Sequence, residues 1–397
     1  MLAADPLLSG GVGLAVVLIV IVKTVIVFAF LLVATMLMIW FERKLIGDMQ
    51  NRIGPNRAGP FGLLQSLADG VKAFFKEDLI PERSDRIVFK LAPYLSLLPA
   101  LITFSVIPIG GTFTDHQHGV ITIFGHETYL QLADPPIGIL LVLAMSSIAV
   151  YGIMLAGWSS GSKYPLLGSV RASAQMVSYE AALGLSVVTV VLVSGTLTTN
   201  GIVAAQSGYD WNLWATAFVP FLIFLVAGTA EVNRPPFDLV EAEQELVGGF
   251  NTEYSGIRFA IFYLAEFMNA ITFAAVITTL FLGGPGGPQL FGPNIMWGPI
   301  WFFAKVMALL FCFVWVRATL PRLRYDQLMD LGWKALIPVA LGWLLLVAAL
   351  RVGDVEDWNP AIVVIVAFGV FAVAYGLLTL AFRASASRRR DALTVVP

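Results

Sequence analysis

Six carboxylates stand between Glu231 and Tyr254, in the stretch EVNRPPFDLVEAEQELVGGFNTEY, flanked by two segments apolar enough to cross a bilayer. A carboxylate beside low-dielectric surroundings is costly to ionise, so its proton becomes exchangeable near neutral pH. Proton handling is therefore the first chemistry to consider. Two further acids sit inside apolar segments. Glu180 follows Arg171 by nine residues in RASAQMVSYEAALG, about 13 Å along a helix. Glu266, in FYLAEFMNA, lies eight residues beyond Arg258, about 12 Å by the same rise. Within the acidic stretch, Asp238, Glu241 and Glu245 are spaced to share one face if helical, and Asn233-Arg234-Pro235-Pro236 should break the helix that Glu231 closes. The bland reading locks each acid in an ion pair with Arg171, Arg234, Arg258 or Arg317. The acids outnumber those bases, which favours a shared protonatable file.

The elements that must position these acids follow from composition. The chain has 397 residues, 58% hydrophobic and 13% charged, with a mean hydropathy of +0.83. Too few charges are present to cover a soluble globule, so an all-α integral membrane protein is expected. The net charge of -2 supplies no basic field for nucleic acid. The lone Cys312 excludes an intrachain disulfide and a cysteine-ligated iron-sulfur cluster. Nine segments are long and apolar enough to span: 11–39, 91–109, 136–157, 177–195, 214–231, 258–282, 298–318, 335–350 and 361–382. The first lacks a signal peptide's flanks and reads as a retained anchor. Of the 24 Lys and Arg, 21 fall in alternate connections and the C-terminal tail, so the N-terminus is expected outside and the C-terminus in the cytoplasm. The whole chain, 1–397, then forms one polytopic membrane domain.

The cytoplasmic connections are ordered surfaces on this reading. In the loop 41–90, Gly59-Pro60 precedes a helical pattern over 61–77, where Phe61, Leu64, Ala68, Val71 and Phe75 recur every three or four residues. Such a helix should lie along the membrane surface. The acidic loop occupies 231–257. On the outer side, His116, His118 and His126 share a loop with Asp115 and Glu127; the spacing favours a solvated loop over a metal site. Gly283-Gly284-Pro285-Gly286-Gly287-Pro288 lacks the Lys-Ser/Thr of a phosphate loop. Lys23 and Lys305 lie toward the outer half of their spans, where snorkelling explains them more simply than a proton path.

Four runs carry a family resemblance: ERKLIGDMQNRIGPNRAGPFGLLQSLADGVKAFFKED, GWSSGSKYPLLGSVRASAQMVSYE, EVNRPPFDLVEAEQELVGGFNTEYSG and RATLPRLRYDQLMDLGWK. In this order, over about 11–350, they resemble the H-subunit family of bacterial NADH-quinone oxidoreductase, a membrane component of respiratory complex I. The resemblance implies an eight-helix core, a place against the peripheral arm of a cell-membrane complex, and a share in the chamber where a quinone is reduced. FMN and iron-sulfur clusters would belong to partner subunits, with quinone as substrate and no covalently bound cofactor here. It further implies an entrance and chamber formed by Glu42, Arg43, Arg52, Asp69, Lys72 and Arg317. The proton-coupling file becomes Glu180, Glu231, Glu241, Glu243 and Glu266, with Asp238, Glu245, Glu253 and Arg171 nearby. A quinone needs an apolar slot and a polar end, and its reduction draws protons or builds charge that coupled acids can feel.

The ninth segment, 361–382, and the Arg388-Arg389-Arg390 tail exceed that eight-helix core. Two other readings stay open. One is the equivalent component of a hydrogenase- or formate-linked complex, and the other a proton-coupled secondary transporter, for which no inverted repeat is visible.

Overall fold

The computed structural model describes residues 5–8, 11, 13–113, 118–123, 125–239, 246–288, 294–356, 358–359, 361–366, 369–370, 372–373, 376 and 379–380. Contacts divide the chain into two compact units, Met1–Ile337 and Pro338–Pro397. Among the described residues, seven helices are long and apolar enough to cross a membrane, or eight if one bent pair counts as a span. Among the described residues the fold is all-α apart from one small hairpin.

In the first unit, α1 (Leu14–Met49) has 36 residues, about 54 Å at the helical rise. That exceeds a hydrocarbon core of roughly 30 Å, so its polar end, with Glu42 and Arg43, projects past the span it begins. The surface helix α2 (Gln65–Phe75) follows, shorter than the expected 61–77 because Pro60–Gly62 forms a separate 3-10 turn. It packs on α1 and on a later helix, α9 (Gly256–Phe281). Ser66 donates to the Met36 carbonyl at 2.9 Å and Trp40 to the Phe61 carbonyl at 3.0 Å. Its apolar stripe points outward: Val71 is 50% and Phe75 82% exposed. The polar face, not the apolar one, holds α2 to the protein.

Next, α3 (Arg86–Ser105) starts at Asp85, whose side chain accepts from the Ile87 and Val88 amides. The chain then crosses to the opposite face, where β1 (Val120–Ile123) and β2 (His126–Tyr129) pair antiparallel. From there α4 (Gly138–Ser159) returns, sandwiched between α3 and α5 (Lys163–Ser194). This contact is close because a Cβ on Gly152 would stand 2.3 Å from the Ser96 hydroxyl, and one on Gly157 2.2 Å from that of Ser169. Small residues let membrane helices approach in this way. The helix α5 begins well before the expected 177, placing Arg171 inside it.

The expected span 214–231 is broken. After α6 (Thr199–Ala205), the segment Ser207–Ala215, including α7 (Asn212–Ala215), meets α8 (Val219–Glu231) at 74°. Pro220 near the start of α8 lacks an amide proton, and Ser186 of α5 donates to its carbonyl at 2.6 Å. The remaining spans are α9 and α10 (Asn294–Thr319), the latter followed by α11 (Tyr325–Asp330) and a π-helical turn, Leu331–Leu336. Lys305 donates to the carbonyls of Leu282, Gly284 and Gly286 at 2.6 to 2.9 Å, so it caps the glycine-rich turn after α9.

In the second unit, α12 (Ile337–Val355) ends in a turn where the Trp358 amide donates to the Gly353 carbonyl at 2.8 Å. Of the expected span 361–382, residues 361–366 are helical, and the rest is described only at scattered positions. The Arg388-Arg389-Arg390 tail lies outside the described residues.

Candidate functional site

The polar ends of α1, α9 and α10 converge on the turn that follows α8. Glu42, 6% exposed, meets two guanidinium groups there. Arg234 Nη1 donates to both of its oxygens at 3.1 and 3.0 Å, and Arg317 of α10 pairs with Oε1. The Arg234 Nε lies 2.9 Å from Glu266 Oε1 in an ion pair that falls outside hydrogen-bond alignment, and its guanidinium stacks 4.0 Å over the Phe267 ring. Two acids and two bases thus alternate in one line, Arg317, Glu42, Arg234, Glu266. Placing one guanidinium between two carboxylates compensates charges that burial would otherwise make costly.

Arg234 is held by its own turn. Gln175 of α5, fully buried, donates to the carbonyls of Ala230 and Phe237 at 2.8 and 2.9 Å and to Asn233 Oδ1 at 3.3 Å. The Pro235-Pro236 peptide is cis. Asp238, two residues on, pairs with Arg322 at 3.3 Å, a partner outside the four bases weighed from sequence.

Beside this line lies a cavity of about 50 Å³, lined by Ser96, Glu231, Asn233, Asp238, Glu266 and Asn269 among others. That volume accommodates water, and the lining offers several polar partners for it. A smaller cavity of about 20 Å³ continues past Glu231, Ser146, Asn269 and Thr272. Glu231 is 4% exposed, accepts a hydrogen bond from Ser146, and leaves Oε2 without a partner among the described residues. Ser147, the next residue of α4, donates to Glu180 of α5. Consecutive hydroxyls on α4 therefore hold the two acids from neighbouring helices. Tyr254 closes the acidic loop outside the spans, stacked 4.0 Å on Phe89 and donating to its carbonyl at 3.1 Å; burial pushes its phenol up to about 12.

The other expected residues divide. Arg43 pairs with Asp69 of α2 at 2.6 Å, and Gln65 donates to the second Asp69 oxygen at 3.0 Å. Arg52 donates to Gln50 at 2.7 Å in the exposed loop, Lys72 is exposed in the last turn of α2, and the Arg171 guanidinium lies 5.1 Å over the Tyr325 ring. None of these lines the cavity, nor does half-buried Glu253. Glu241, Glu243 and Glu245 lie outside the described residues, as do Asp115 and His116 of the histidine loop. No group of three or more His, Cys, Asp or Glu able to hold a metal occurs among the described residues. Sequence reasoning passed over Ser146, Ser147, Gln175, Asn269 and Arg322. The first two had a signal, adjacent hydroxyls in the middle of an apolar run.

Comparison with known proteins bears on this geometry. A family model described as NADH dehydrogenase matches residues 22–348. The chain is 54% identical over 358 residues to the NADH-quinone oxidoreductase H subunit of Frankia casuarinae, covering 88% of this chain and 76% of that protein. It is 54% identical over 348 residues to the corresponding Frankia alni protein, covering 86% and 75%. The Streptomyces avermitilis protein of the same name is 49% identical over 386 residues, covering 95% and 82%.

Proposed function

The chain belongs to the NADH dehydrogenase family, and on that premise we propose that it forms part of a quinone chamber and couples quinone reduction to proton translocation through its glutamates. It is a multi-pass membrane component of an NADH-quinone oxidoreductase, working with the other subunits of that complex. On the proposed arrangement the basic loops face the cytoplasm, the N-terminus lies outside, and the flavin and iron-sulfur centres that deliver electrons belong to partner subunits. Relatives named as NADH-quinone oxidoreductase subunits at about half identity favour this reading over a hydrogenase-linked complex or a transporter.

The observation that carries the proposal is the line Arg317, Glu42, Arg234, Glu266 ending at the cavity that Glu266 shares with Glu231. Glu42 and Arg317 belong to the chamber side, with the Arg43–Asp69 pair and α2 framing the entrance beside lipid. Glu266, Glu231 and Glu180 belong to the membrane side. Reduction of a quinone head group takes up two protons or builds negative charge. Either event changes the field at Glu42, and Arg234, paired with both Glu42 and Glu266, transmits the change. Acids that share one guanidinium and one cavity are coupled electrostatically, so a proton leaving one end alters occupancy at the other. Water in the cavity connects Glu266 to Glu231, and the Ser146–Ser147 pair connects Glu231 to Glu180. The undescribed Glu241, Glu243 and Glu245, with Asp238, Glu253 and Arg171, are assigned to the same file from the loop.

Glu231→Gln and Glu266→Gln keep shape and remove the exchangeable proton. In assembled complex reconstituted into vesicles, both are expected to lower NADH-driven quinone reduction and proton uptake. Full activity with full pumping in both variants sinks the proposal.

A further inference from the structure

A second buried acid lies on the face opposite the basic loops. Asp134, in the turn after β2, is 7% exposed. Its Oδ1 has long contacts from the Thr199 hydroxyl at 3.4 Å and the Asn200 amide at 3.5 Å, and the Gln131 side chain also donates toward the carboxylate. The Thr199 hydroxyl has a nearer acceptor in the Val106 carbonyl, at 2.6 Å. Its Oδ2 is buried and has no hydrogen-bond partner among the described residues. Around it, Asn200 of α6 donates to Gln131 Oε1 at 3.4 Å and meets His118 Nδ1 at 2.9 Å, while Gln131 donates to the Ala133 carbonyl at 2.8 Å. These groups tie the end of α3, the hairpin and the start of α6 together.

The charged and titratable groups facing Asp134 are few among the described residues. From the hairpin side they are Tyr129 and exposed His118, which acts on Asp134 through the field rather than by contact. On the same face, Lys23 of α1 is committed to Asp5 at 3.2 Å and Thr128 at 2.9 Å. The groups that touch Asp134 from α6, Thr199 and Asn200, are uncharged, as is Val106 at the end of α3. A buried carboxylate with one oxygen unbonded and no ion-pair partner is an unfavourable state; protonation removes the charge and converts an acceptor into a donor. Burial accordingly pushes the Asp134 carboxyl up from its ordinary value.

We propose that Asp134 is a proton-binding site whose neutral form keeps the hairpin and its following turn packed on α6. Loss of that proton leaves a buried charge whose Oδ2 lacks a donor, so the turn must open to admit water to it. The device is independent of the glutamate site.

Hydrogen exchange of the assembled complex in lipid nanodiscs tests this, using peptides that cover residues 125–139 across a pH series from 4.5 to 9, with rates corrected for base-catalysed intrinsic exchange. Protection in the wild type is expected to fall in a single step as pH rises, to stay constant in Asp134→Asn, and to fall as in the wild type in His118→Gln. Equal wild-type protection across the series overturns the proposal, and it does so whether or not Asp134→Asn assembles. A response that persists in Asp134→Asn and vanishes in His118→Gln also overturns it, because the histidine is then the titrating group.

Discussion

Arg234 shows how much one side chain can decide. Its planar guanidinium reaches Glu42 through Nη1 and Glu266 through Nε while its face rests on Phe267. Removing one partner of a buried pair costs on the order of 3–5 kcal/mol, since the remaining charge is stranded. Arg234→Met is therefore expected to deplete the assembled complex, measured on native gels. Arg234→Lys should assemble yet reduce quinone slowly, because a point charge cannot bridge two carboxylates as a fork does. Tyr254 gives a pH test. Its phenol sits near 10.0 unfolded and is pushed to about 12 by burial in the fold. Its contribution to stability is therefore complete below pH 10 and is lost as pH rises through 12. Tyr254→Phe should flatten the loss of thermal stability of the complex between pH 10 and pH 12.

At the scale of elements, the site depends on how tightly α4 lies between α3 and α5. Ser146 and Ser147 reach Glu231 and Glu180 only because α4 fits into that slot, and Gly152 and Gly157 make the fit possible. Overpacking costs about 1–3 kcal/mol, and more where a backbone must move. Gly152→Val and Gly157→Val should each lower the yield of assembled complex, with quinone reduction per complex falling in whatever assembles. The helix α2 makes a complementary point. Its hydrophobic periodicity is plain in the sequence, but periodicity reports only that one face is apolar. That apolar face is exposed, with Ser66 and Asp69 making the protein contacts. For an interfacial helix, lipid replaces the core as the apolar phase.

For the whole molecule, the family match ends at residue 348 and the compact unit Met1–Ile337 contains every described residue of the glutamate site. Deleting residues 361–397 is therefore expected to leave NADH-driven quinone reduction unchanged in assembled complex, measured in membranes. The membrane class and seven of the nine expected spans were legible in the sequence, because bilayer thickness sets helix length, and the candidate acids stood out by type, because charge inside lipid is rare. Less legible was the break at Ala215–Val219, since composition is averaged over a window and a 74° bend is not. Partnership was not legible either. Glu42 and Arg317 are separated by 275 positions and Glu42 and Arg234 by 192, and no spacing rule relates residues on different helices. The sequence by itself determined which segments must leave water, through hydrophobic length, and which residues are chemically capable, through type. Only the tertiary structure decided which acid meets which base, because ion pairing and hydrogen bonding fall off within a few ångströms and that distance is set by helix packing.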